Sequence, residues 1–171
     1  MIKNFQLFNK SLKNKDMDAL FFEASALYSS LVKKELADLH LSDSVYSPQL
    51  AVDELGLDTD LVNELVADYV AQIIKSLVQF EAKLYTLQNS KSKSEVLDYT
   101  PFRELAHKNL GVARNLRIKD AEILLHELML KDDLDYLLTC LEALEVSTIT
   151  LNVKQAYDTL KLIEVKERFK S

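Results

Sequence analysis

Apolar residues recur every three or four positions through most of the chain, the spacing of helices that bury one face. Residues 16–39 read as one amphipathic helix. Leu20, Ala24, Leu27, Leu31 and Leu39 fall near the helical period, joined by Phe21, Tyr28, Val32 and Leu36. A shorter apolar set, Ile2, Phe5, Phe8 and Leu12, precedes it. Ser, Asp and Pro48 break the pattern over 40–49. A short turn of helix covers 49–55 and stops at Gly56. Asp58 or Thr59 then caps a long helix to about residue 88, apolar at Leu61, Leu65, Val66, Tyr69, Ile73, Ile74, Leu77, Phe80 and Leu84.

The stretch 89–99, NSKSKSEVLDY, reads as a polar loop. Thr100 and Pro101 restart the chain as N-cap and first residue of a helix that runs to about Leu116. Helices over 119–130 and 133–146 follow, separated by Lys131-Asp132-Asp133. The β-branched run 146–150 weakens the pattern, and Asn152 with Gln155 resembles a capping box for a last helix to about residue 169. Sequential helices with short links predict antiparallel neighbours. The expected fold is all-α: an antiparallel four-helix bundle with additional N-terminal and C-terminal helices. The expected division is a helical extension over 1–45 and a bundle with its C-terminal helix over 46–171.

Composition narrows this further. The 171 residues include only 2 Gly and 2 Pro, too few for the tight turns of a sandwich, a barrel or a doubly wound sheet. Gly56 and Gly111 are too far apart for a glycine-rich nucleotide loop. The net charge of −6 comes without a basic stripe, so nucleic acid is not an expected partner. The single cysteine, Cys140, cannot form an internal disulfide and reads as a small core residue. No uncharged run approaches the ~18 residues of a membrane span, and the N-terminus carries no signal-peptide pattern. A cytoplasmic location without membrane association is the expectation.

One position breaks a helical rule. Gly111 falls inside the 101–116 helix, where glycine costs about 1 kcal/mol relative to alanine. On a wheel at ~100° per residue, Phe102, Leu105, Asn109, Val112 and Leu116 form the core stripe, flanked by Ala106 and Ala113. Arg103, His107, Leu110, Gly111 and Arg114 fall on the opposite face. His107 is therefore expected in solvent, with Gly111 one turn on and two arginines bracketing the pair. Neutral imidazole is nucleophilic near pH 7. Arginines beside it offset the charge of a phosphoryl group. The missing Cβ of Gly111 lets a partner's backbone come close.

The stretch ELAHKNLGVARNLRIKDAEILLHEL (104–128) resembles the histidine-containing phosphotransfer (Hpt) family. His107, Gly111, Ala113 and Leu116 match the pattern of a His, a Gly four residues later, then a small residue and a Leu. DELGLDTDLVNELVADYVAQI (53–73) looks like the first bundle helix of that family. The Lys131-Asp132-Asp133-Leu134 turn falls where its last two bundle helices join. The resemblance covers roughly 48–146. It implies a phosphocarrier rather than a true enzyme, in which His107 accepts a phosphoryl group from the Asp of a receiver domain and donates it in reverse. No cofactor or metal on this chain is implied, because the receiver brings the Asp and the Mg²⁺. The implied partners are a response-regulator receiver domain, a hybrid histidine kinase, or both.

Two positions depart from the family, which has Leu and Lys two and three residues after the His; here they are Asn109 and Leu110. Asn109 falls on the core face, so its amide is expected to find a hydrogen-bond partner. Leu110 is expected to add an apolar docking contact beside Gly111. Either Arg103, Lys108 or Arg114 substitutes for the missing lysine at a different angle, or Leu110 serves docking alone and phosphate stabilisation is weak. These departures motivate an alternative: a degenerate Hpt-like adaptor that binds a receiver or other signalling protein without phosphotransfer. A third reading makes residues 1–45 a homodimer surface. His126-Glu127 begins like a zinc-binding HExxH but lacks the second His. His40 reads as a helix-end residue, and the three histidines show no metal-ligand spacing.

Overall fold

A computed structural model describes residues 16–42 and 45–170, and every regular element in it is helical. The elements are α1 (Met17–Lys33), a single 3₁₀ turn (Ala37–Leu39), α2 (Gln49–Leu55), α3 (Thr59–Ser92), α4 (Thr100–Asn115), α5 (Lys119–Leu130), α6 (Leu134–Leu151) and α7 (Val153–Lys170). The all-α expectation is met. The apolar set Ile2, Phe5, Phe8 and Leu12 lies outside the described residues.

Three helices start on an aspartate cap, of which the sequence pattern names Asp58. Asp16, Asp58 and Asp133 each accept a hydrogen bond from the backbone N–H three residues on, at 3.0, 2.7 and 3.0 Å. Each thereby satisfies one of the donors a helix start leaves open. Gly56 closes α2 in the left-handed region, φ 67°. Asn152 Oδ1 accepts from Gln155 N at 3.0 Å. The Gln155 amide turns forward to Thr159 instead of back, so only half of the capping box forms.

Four boundaries differ from expectation. The 16–39 helix ends at Lys33. A straight continuation would put Leu36 nearly opposite the Leu20–Ala24–Leu31 face. The unwound turn instead brings Leu36 and Leu41 into the core. The long helix α3 extends to Ser92, its polar last turn closed by backbone bonds from Lys93, Ser94 and Glu95. Thr100 is already helical, Tyr99 takes the N-cap position without a side-chain cap bond, and Asp98 accepts from Thr100 N at 3.0 Å. Finally, α6 runs through the β-branched stretch to Leu151. Burial of Val146, Thr148 and Ile149 outweighs their weak helix propensity. The Thr148 hydroxyl returns a bond to Leu144 O at 2.6 Å.

Packing joins these helices around one core. Helix α3 packs on α4, α4 on α5, α5 on α6, and α6 back on α3. Helix α1 lies against α6 and α7, and α7 lies along α3. Leu20, Ala24, Tyr28 and Leu31 of α1 belong to the same buried cluster as the centre of α3 and α6. Across the α3–α4 contact, Phe80 and Phe102 meet edge to face at 5.1 Å. None of the described helices is long and apolar enough to cross a membrane.

Candidate functional site

Among the described helices, α4 packs mainly on two, α3 on one side and α5 on the other, and this decides which side chains remain outside. Phe102 meets Phe80, and Asn109 meets Gln72 and Ser76, so α4 runs antiparallel to α3. On the far side, Arg114 Nε pairs with Glu122 Oε1 of α5 at 3.1 Å. What is left over is a strip carrying Arg103, Glu104, His107, Lys108, Gly111 and Arg114, all exposed.

His107 therefore stands in solvent, as expected. No hydrogen bond or ion pair to another described residue engages its ring. A Cβ built at Gly111 would meet nothing within 4 Å. No contact with the described residues thus calls for glycine there, although it weakens the helix.

Asn109 is fully buried, at 0% exposure, and its expected partner exists. Its Oδ1 accepts from Gln72 Nε2 at 3.1 Å and from Ser76 Oγ at 3.2 Å. Its Nδ2 donates to Leu105 O at 2.9 Å and to Ser76 Oγ at 3.0 Å. A buried amide so satisfied resists rotation of the helix, since any turn would strand several polar groups at once. His107 sits two residues earlier, ~200° around α4. The network that holds Asn109 inward thereby holds His107 outward.

Leu110 requires a correction. Its side chain is 3% exposed and buried, so it offers no apolar contact to a docking partner. The wheel gave α4 a single buried stripe. Contact with α5 widens the buried arc past Ala106 as far as Leu110, one turn before the Arg114 that reaches Glu122. The lysine position of the Hpt pattern is thus occupied by a core residue.

The three cations differ in their settings. Arg114 is engaged by Glu122. Lys108 lies ~100° around the helix from His107. Arg103 stacks on Tyr99, its guanidinium carbon 4.9 Å from the ring centroid. Tyr99 Oη in turn donates to Asp132 O at 2.7 Å, tying the ring to the α5–α6 turn. Burial, and then the charge of Asp132, push the Tyr99 phenol above its usual range, so it remains a donor. Arg103, Glu104, His107, Lys108, Thr100 and Met129 line one shallow depression. Sequence reasoning missed Tyr99; the signal was an aromatic residue four positions before an arginine.

Other candidates lie elsewhere. His40 and His126 are exposed on separate elements. Among the described residues, no group of three or more His, Cys, Asp or Glu could hold a metal ion. Cys140 is buried, and desolvation pushes its thiol up to about 12, the state of an inert core residue. A cavity of about 260 Å³ opens beyond the C-terminal end of α4, between Tyr28, Tyr46, Arg117, Asp120 and Thr150, and contains none of the strip residues. Comparison of the chain with family models, curated proteins and solved structures returns no match.

Proposed function

We propose that the chain is a histidine phosphotransfer protein of a two-component phosphorelay, with His107 as phosphoacceptor. The observation that carries this reading is an exposed imidazole, unengaged by any described residue, one turn before a glycine whose missing side chain no contact among the described residues explains. On this reading helices α3 to α6, each packed on the next, are the four helices of an antiparallel Hpt bundle, with α1 and α7 as the added ones. The relay operates in the cytoplasm, with a receiver domain or a hybrid histidine kinase as partner.

In the forward step, a ring nitrogen of neutral His107 attacks the phosphorus of a receiver's aspartyl phosphate. The N–P bond forms as the acyl P–O bond breaks. The receiver carboxylate leaves with the electron pair, its Mg²⁺ balancing the charge. The other ring nitrogen holds its proton until solvent removes it. The reverse step returns the phosphoryl to an Asp. His107 needs access, which the position of Asn109 maintains, and a close partner backbone, which Gly111 allows.

The apolar part of the docking face comes from α3 in place of Leu110. Leu61, Leu65, Asp68 and Gln72 share one stripe of α3, whose Gln72 end meets α4 at the buried Asn109. Leu61 and Leu65 are 39% and 36% exposed.

Incubation with a phosphorylated receiver tests the reading. Label should transfer to the wild-type protein and not to His107→Gln. Failure of the wild type to take label from any receiver of its source organism overturns it. The buried Leu110, which leaves the family's lysine position uncharged, favours a second reading: an adaptor that binds a receiver without chemistry. Under that reading, binding survives His107→Gln and falls with Leu65→Glu, while no label is ever transferred.

A further inference from the structure

We infer that Arg103, seated on the ring of Tyr99, is the cation that balances a phosphoryl group on His107. The inference rests on the phosphocarrier reading and assigns the counter-charge within it. Side chains on a helix lean toward its N-terminus. The ring of His107 therefore leans over the turn that holds Arg103 and Glu104, and away from Arg114 two turns on. Arg114 is also committed to Glu122 at 3.1 Å. Lys108 projects to the side. Arg103 and Lys108 both line the depression with His107, and of the three cations Arg103 is the one that stands one turn before it.

The setting of Arg103 is built. Its guanidinium carbon sits 4.9 Å from the centroid of Tyr99, and Tyr99 is pinned through its hydroxyl to the carbonyl of Asp132. A stacked guanidinium keeps its N–H edge free to bond phosphoryl oxygens, and less rotamer freedom is lost when it does so. Tyr99 is thus a positioning residue acting through Arg103. Glu104 occupies the same depression with the opposite charge, so the field at His107 is Arg103 and Lys108 set against Glu104.

Potassium phosphoramidate tests this without a partner protein. It phosphorylates exposed histidine as its own P–N bond breaks and ammonia leaves. The ³¹P resonance missing from His107→Gln belongs to phospho-His107, which separates it from His40 and His126. Its chemical shift is followed against pH. A nearby cation disfavours the more protonated form, so Arg103→Gln should raise the titration midpoint by about 0.2 to 0.7 of a pH unit, the scale of a solvent-screened pair. Arg103→Lys should retain most of the wild-type midpoint. Glu104→Gln should lower it. Tyr99→Leu should raise it by less than Arg103→Gln, and Tyr99→Phe should stay near wild type. Circular dichroism confirms that each variant is folded. A midpoint unmoved by Arg103→Gln, with a clear phospho-His107 signal, overturns the inference and leaves the phosphocarrier reading intact. A wild type that takes a phosphoryl from neither phosphoramidate nor a receiver overturns both.

Discussion

Replacing Glu145 should stabilise this protein, and the gain should grow with pH. Glu145 projects from α6 into the core, is 1% exposed, and among the described residues its Oε1 has no hydrogen-bond partner. Burial raises its carboxyl well above the ordinary value of 4.5, and the charges of Glu142 and Glu81 add to the effect. Below that ordinary value both folded and unfolded chains carry the proton, and the group costs nothing through ionisation. As pH rises, the unfolded chain releases its proton first, and stability falls by about 1.4 kcal/mol for each pH unit that the folded carboxyl lags. The loss ends once the folded carboxyl also ionises. Desolvating a buried, unsatisfied polar group sets the scale at about 1–3 kcal/mol. Glu145→Met keeps much of the volume and removes the carboxyl. It should gain that amount at pH 7, raising Tm by roughly 2–4 °C per kcal/mol for a chain of this size. Urea unfolding followed by circular dichroism from pH 4 to pH 8 measures the gain, with Glu145→Gln separating charge from polarity. A Met variant whose advantage over wild type is the same at pH 4 and pH 7 would refute the reasoning.

Three further outcomes follow from the α4 strip and the core beneath it. Gly111→Ala has room for its methyl group and should stabilise the fold by up to about 1 kcal/mol in thermal unfolding, while slowing label transfer from a phosphorylated receiver. A variant that is both more stable and fully active would remove the reason for glycine. Asn109→Ala strips Gln72 and Ser76 of their shared acceptor and should cost about 2–4 kcal/mol in urea unfolding. A loss under 0.5 kcal/mol would mean that the network does not hold α4. Cys140, with its thiol up at about 12, should resist iodoacetamide at pH 8 in the folded protein and react in urea.

How much of this was legible in the sequence depended on whether a residue answers to one neighbour or several. The caps at Asp58 and Asn152 and the stop at Gly56 are local events, set by a side chain and the backbone beside it, and could be read from order alone. The exposure of His107 was also readable, because it stands opposite Asn109, the centre of the buried stripe. Leu110 was not, because its burial depends on α5 lying against that side of α4. The end of α1 at Lys33 was hidden for a related reason: local propensity favours continuing, and only the core position of Leu36 requires the turn. Tyr99 needed the α5–α6 turn to bring the Asp132 carbonyl to its hydroxyl, a contact across 33 positions.

The placement of α1 bears on how this molecule can be handled. The helix closes over α6, and the Tyr28 hydroxyl donates to the Asp120 carboxylate at the head of α5, one turn from the loop that ends α4. Cutting the chain at residue 45 to obtain a shorter fragment would uncover the apolar flank of α6 and remove the tether on α5. Such a fragment should be sticky and poorly behaved. Expression trials and domain fusions are better built on a chain that keeps α1 than on residues 46–171 alone.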